Sequence, residues 1–370
     1  MTSKTKSKRI FYFDALRALA IITVITFHVF GNTNGLATQE FVTGPTLDWI
    51  INCFIGCNKL GVDLFLMLSG ALSLGRVWDI KSFLGKRIPR IASPFLFWGL
   101  LIGTFMFLSL IYAPDVLHKT ISPIHERSFY GFLEYLYGVF MATNPGTSQY
   151  WFFWMILGTY LIMPVLNKWL LHSDLKEAEY FIFLWLISCL FEANLNMKFP
   201  IKLDYFAGTI GLVVLGYYLR HTERKLLNNI YFDIFLAVFG CAMSMLMSYL
   251  AFTPGDLYTP AANRLSIFVI MEVVGVFLTF KNFGKLNLNL EKLSKPIEIF
   301  KKAVFSIAKY SYGMYLNHII IMLLLAHYTI GKYEYLPYIT ILIVGTVGIS
   351  WLSMALLNRI PYLNQVIGAK

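Results

Sequence analysis

Charge is what this sequence has least of: Asp, Glu, Lys and Arg make up 14% of its 370 residues, against about 25% in a soluble domain. Acidic side chains are the scarcer kind, 20 against 31 Lys and Arg, for a formal net charge of +11. Cysteine is limited to Cys53, Cys57, Cys189 and Cys241, with no CxxC and no Cys/His ligand set. Cys53 and Cys57 sit four apart, as on one helix face, which is poor disulfide geometry. The four are read as small packing residues in apolar stretches, and no metal is expected. Repeats and low-complexity tracts are absent as well. This composition excludes disorder, a coiled coil and a DNA-binding globule.

What is abundant is apolar side chain. The AVILMFWYC set makes up 57%, with 32 Phe, 22 Tyr and 8 Trp, and the mean hydropathy is +0.63. A soluble enzyme has nowhere to put so much apolar surface, whereas lipid accepts it. The basic residues fall between apolar segments, so they orient a membrane protein rather than bind nucleic acid. Ten stretches qualify as spans, roughly 10–30, 50–75, 91–113, 150–170, 179–196, 204–220, 230–251, 264–280, 303–327 and 335–357. Lys and Arg favour alternate connections by roughly three to one, which puts both termini in the cytoplasm. The first run carries Asp14 and Arg17 and no Ala-x-Ala-like site closes it, so it is expected to be a retained helix rather than a signal peptide. The expected fold is all-α and polytopic, one domain over 1–370 with about ten transmembrane helices. Residues 129–141 are too short to span and read as a re-entrant or interfacial helix. The amphipathic segment 281–302, with Leu286, Leu290 and Leu293 among lysines, is expected on the cytoplasmic surface.

Ionisable residues within spans are costly and are functional candidates. The first helix holds Asp14, Arg17 and His28. Arg17 and His28 are eleven residues apart, three turns, so they share a face at roughly 16 Å separation. Asp14 lies three before Arg17 and can pair with it. The plainer reading is a snorkelling pair and a core histidine. Lys86, Arg87, Pro89 and Arg90 mark the start of the third helix. Arg87 and Arg90 lie on one face and can clamp phosphate, Pro89 suits a first helical turn, and the plainer reading is a positive-inside anchor. His318, in the run Ser311–His318, has a depth close to that of His28, so the two could share a cavity; interhelical hydrogen bonding is the alternative. Glu272, in the outer half of the eighth helix, could orient a histidine or bind a sugar hydroxyl. Asp204 and Glu134 read as solvated rim residues, and His118, His125, His172 and His221 carry no assigned role.

Taken in order, these residues form a pattern. Asp14-Ala15-Leu16-Arg17 with His28, Gly61-Val62-Asp63-Leu64-Phe65 leading to Gly70, Arg87 and Arg90, Trp151-Phe152 leading to Pro164, Gly216-Tyr217-Tyr218-Leu219, and Ser311-Tyr312-Gly313-Met314-Tyr315-Leu316-Asn317-His318 together resemble the acyltransferase-3 family of membrane O-acyltransferases, bacterial surface-glycan type. One departure is Gln149, where many members have a histidine two residues before the Trp-Phe pair. The resemblance implies ten helices in a bacterial inner membrane, cytoplasmic acyl-CoA (usually acetyl-CoA) as donor substrate with no permanently bound cofactor, and a glycan or lipid-linked saccharide as acceptor. It carries over Arg17 and His28 as the catalytic motif and Arg87 and Arg90 as donor-binding residues. On this reading His28 is the general base, or alternatively carries the acyl group covalently. Asp14 orients Arg17, and His318 belongs to the same catalytic group. Membrane lipids are the expected surroundings, nucleic acid is not a partner, and oligomerisation stays open. The rival readings are a transporter or flippase for a lipid-linked glycan, which needs no phosphate clamp, and a glycan polymerase.

Overall fold

A computed structural model of the protein describes residues 9–40, 45–113, 127–197, 201, 208–251, 263–283 and 294–369. Asp204, His118, His125 and the leucines of 284–293 lie outside the described residues. The described chain is all-helical, 83% helix with no strand. In order the helices are α1 (Phe11–Glu40), α2 (Pro45–Cys57), α3 (Leu60–Ser73), α4 (Ile80–Tyr112), α5 (Phe129–Phe140), α6 (Trp151–His172), α7 (Leu175–Cys189), α8 (Ile210–His221), α9 (Ile230–Ala251), α10 (Ile267–Phe283), α11 (Ser294–Thr329), α12 (Tyr335–Leu357) and the short α13 (Leu363–Val366).

Six segments among the described residues are long and apolar enough to cross a bilayer: Phe11–Gly31, Ile50–Ser73, Ile80–Tyr112, Ser148–His172, Ile230–Ala251 and Tyr335–Leu357. The other four expected spans are also helical but do not meet that standard. α7, α8 and α10 run 15, 12 and 17 residues. α11 is long, but Ser311, Asn317 and His318 interrupt its apolar run.

Burial ranks the helices. The apolar window of α1 is 67% buried, against 22% for α9 and 28% for α12. α1 is therefore the central post, packed on α3 and α11, while α9 and α12 face outward. α3 lies against α8 at very short range. A Cβ on Gly70 would stand 1.8 Å from the Val213 carbonyl oxygen, and one on Gly216 would stand 2.0 Å from that of Met67. Only glycine permits this approach, in the manner of small-residue contacts between membrane helices.

Several expectations need correction. The segment 50–75 is not one helix: a turn at Asn58 and Lys59 separates α2 from α3, and the Asn58 side-chain amide donates to the Phe54 carbonyl at 2.8 Å. Two residues on, a Cβ at Gly61 would meet the Ala20 carbonyl at 2.7 Å. Lys59 therefore sits beside the middle of α1. The third helix starts earlier than expected. Asp79 caps α4 by accepting the Ser82 N–H at 3.0 Å, so Arg87 and Arg90 lie two turns or more inside it. Pro89 is interior, not in the first turn. The helix continues because the Gly85 carbonyl, which Pro89 cannot engage, belongs to an exposed residue with open space around it. Of the segment 281–302, residues 284–293 lie outside the described residues, and 294–302 form the first turns of α11, braced by a Lys302–Glu298 ion pair of 2.7 Å. Lys302 also holds the Glu298 carboxyl below its usual range. The short helix expected at 129–141 is present as α5. It buries Gly131, Leu136, Gly138 and Val139 and packs on α4.

Candidate active site

α1 carries Asp14, Arg17 and His28 towards one side. Asp14 is buried and is held mainly by Arg9, whose guanidinium gives it two hydrogen bonds of 2.7 and 2.9 Å. Arg9, just outside the helix, has its pKa raised by that contact. Arg17 also approaches Asp14, but at 3.6 Å. The expected Asp14–Arg17 pairing is therefore the looser of the two, and Arg17 keeps donors for other partners.

Arg17, Arg87 and Arg90 converge on one cavity of about 340 Å³. Seventy residues separate the first from the other two in sequence, and α1 and α4 bring them together. Lys309 of α11 is a fourth cation lining the same cavity. Ser69, Tyr160, Ser311 and Tyr312 supply hydroxyls, and among the described residues no carboxylate lines the space. Arg87 is fixed from three sides: it donates to Ser73 Oγ at 3.0 Å, and its guanidinium lies 5.7 Å from the Phe83 ring and 6.0 Å from that of Tyr160. The segment after α13 borders this region. Gly368, at φ +88°, lines the cavity, and the Ile367 carbonyl accepts Trp98 Nε1–H at 3.1 Å. Four cations, of which only Arg17 has a carboxylate within 4 Å among the described residues, stand with several hydroxyls and suit a ligand carrying multiple phosphates.

His28 lines a second cavity, of about 370 Å³, further along α1. Asn58, Lys59, Trp151, Arg264 and Tyr315 are also in its wall. Arg264 is ion-paired with the fully buried Asp63 and lies 5.6 Å from the Trp151 ring. Lys59 donates to Ser248 Oγ at 2.7 Å. The His28 and His318 rings are 5.2 Å apart. Their expected proximity is thus observed, although His318 stands behind the wall rather than in it. The ring of His318 is completely buried, and its Nδ1 is 2.7 Å from the Tyr315 carbonyl oxygen. A carbonyl only accepts, so Nδ1 carries the hydrogen and Nε2 carries the lone pair. No hydrogen-bond partner of that Nε2 is found among the described residues.

Other sequence candidates stand apart. Glu272 is buried but lines neither cavity. Glu134 is exposed on α5. Gln149 is buried, and its backbone carbonyl accepts the Tyr315 hydroxyl. The cysteines are free thiols. Among the described residues no three His, Cys, Asp or Glu side chains gather as metal ligands would. Sequence reading missed Lys309, Lys59, Arg264 and Gly368. For Lys309 a signal existed, since it is a charge inside an apolar run. For Arg264 there was none, because its partner Asp63 lies 201 residues away.

No curated protein and no solved structure matches the chain. The sequence model of one family, described as an acyltransferase domain, matches residues 10–355. That range holds both cavity walls except Gly368, and it covers nearly the whole molecule, so this membrane protein belongs to the acyltransferase-3 family.

Proposed function

We propose that the protein moves an acyl group, acetyl in the first instance, from cytoplasmic acyl-CoA to a hydroxyl of a surface glycan or lipid-linked sugar. It does so as a single module of about ten spans in a bacterial inner membrane, with both termini cytoplasmic. The observation that carries this reading is the pairing of a four-cation cavity with a histidine-lined cavity further along the same helix. The donor's phosphates are held by Arg87, Arg90, Lys309 and Arg17, and its pantetheine arm points along α1 towards His28. The acceptor sugar enters the second cavity, where the Trp151 face offers a flat apolar platform and Asn58, Lys59 and Arg264 offer hydrogen-bond donors.

His28 takes the proton from the acceptor hydroxyl. The oxygen bonds to the acyl carbon, the C–S bond breaks, and CoA leaves as a thiolate that regains a proton. His318, with its lone pair on Nε2 and its ring beside His28, is placed to share that proton. If the acyl group is first carried on a histidine, the same residue serves. The test is mass spectrometry of surface glycans and lipid-linked sugars from cells with and without the protein, alongside acetyl-CoA consumption by the purified protein. Acetyl or succinyl increments that vanish with the protein support the reading. Identical glycans, with no acetyl-CoA consumed, contradict it.

A further inference from the structure

The two cavities have separate walls except at one residue. Among the described residues that line them, Tyr315 alone borders both. We propose that Tyr315 is the septum between the donor and acceptor cavities, a positioning residue that keeps water of the acceptor side away from the donor side. The donor and acceptor assignment of the two cavities rests on the acyl-transfer reading above. The septum itself rests on geometry alone.

The ring is braced. Tyr315 is 2% exposed, and its hydroxyl donates to the Gln149 carbonyl in the turn before α6. Its ring centroid lies 4.9 Å from that of Phe152. One residue along, the Leu316 carbonyl accepts the Tyr150 hydroxyl at 3.1 Å. α11 is thus tied twice to the segment 149–150 at the level where the cavities meet. The backbone carbonyl of Tyr315 also holds His318 Nδ1, so the residue that closes the passage sets the histidine behind it. A thioester held on the cationic side can meet an oxygen beside His28 only at this ring. Water reaching the thioester there would bond through oxygen to the acyl carbon, break the C–S bond and release acetic acid and CoA thiol. A ring held by one hydrogen bond and aromatic packing blocks that path yet can rotate once the bond breaks.

The test uses the full chain in sealed vesicles of known orientation, with the partly exposed Cys57 and Cys241 replaced by Ala and Ser69→Cys as reporter. Ser69 lines only the cationic cavity. An impermeant sulfonate-bearing methanethiosulfonate is added from either side. With Tyr315 in place, labelling is expected only from the side bearing Arg87 and Arg90. Labelling from the opposite side is expected to rise in the order Tyr315, Tyr315→Phe, Tyr315→Ala, by at least tenfold at the end of the series. Tyr315→Leu serves the same end if the alanine variant does not fold. Acceptor-free acetyl-CoA hydrolysis is expected to rise severalfold in the same order. Labelling from both sides with Tyr315 intact, or from one side only in the alanine or leucine variant, overturns the septum. If labelling follows the series while no form, parent included, consumes acetyl-CoA, the septum stands and the donor reading falls.

Discussion

Lys309 shows how much a single residue can carry at this site. It reaches the cationic cavity from α11, whereas Arg87 and Arg90 reach it from α4. A charge-assisted hydrogen bond contributes about 1.5–3 kcal/mol, so Lys309→Ala should weaken acetyl-CoA binding by roughly ten- to a hundredfold. A titration of the purified variant checks this. Unchanged affinity would show that the lysine merely reaches the aqueous interface. Arg17, Arg87, Arg90, His28 and His318 were legible in the sequence because intramembrane charges are rare and their spacing repeats a family pattern. Lys59 was missed because the stretch 50–75 reads as one span, although the polar pair Asn58-Lys59 marks its break. Arg264 was missed because an ion pair between residues 63 and 264 has no local signature.

The helices themselves were mostly readable from runs of apolar residues, and each of the ten expected stretches holds a helix among its described residues, the stretch 50–75 holding parts of two. Hydropathy gives the existence of a helix but not its neighbours. The α3–α8 contact depends on Gly70 and Gly216, and no sequence rule paired them. Gly70→Ala would push a Cβ to within 1.8 Å of the Val213 carbonyl oxygen, which no side-chain rotation relieves. The two helices must part, at a cost on the order of 1–3 kcal/mol typical of overpacking. The expected outcome is a clear drop in thermal stability in detergent. Gly85→Ala, at an exposed position with open space around it, should leave stability nearly unchanged. Equal melting temperatures for the two variants would mean that the close approach is not maintained.

For the whole molecule, the two cavities make sense only if the cationic one opens to the cytoplasm. Loop charge predicts that arrangement. Reporter fusions at Arg76 and Lys302 should report the cytoplasm, and fusions at Arg127 the outside. A cytoplasmic signal at Arg127 would invert the assignment of donor and acceptor sides. The central claim is that donor binding and acyl transfer occupy different cavities, and acetyl-CoA affinity tests it most directly. It should be measured by titration on the parent, His28→Ala and Arg90→Lys in detergent, with acyl transfer followed on the same samples. His28→Ala is expected to bind acetyl-CoA as the parent does and to transfer nothing. Arg90→Lys keeps the charge but loses the planar fork, and it is expected to bind roughly ten- to a hundredfold more weakly. Parental affinity in Arg90→Lys, or lost affinity in His28→Ala, would contradict the account and turn attention to the shallow basic pocket of Arg220, Lys225 and Lys281.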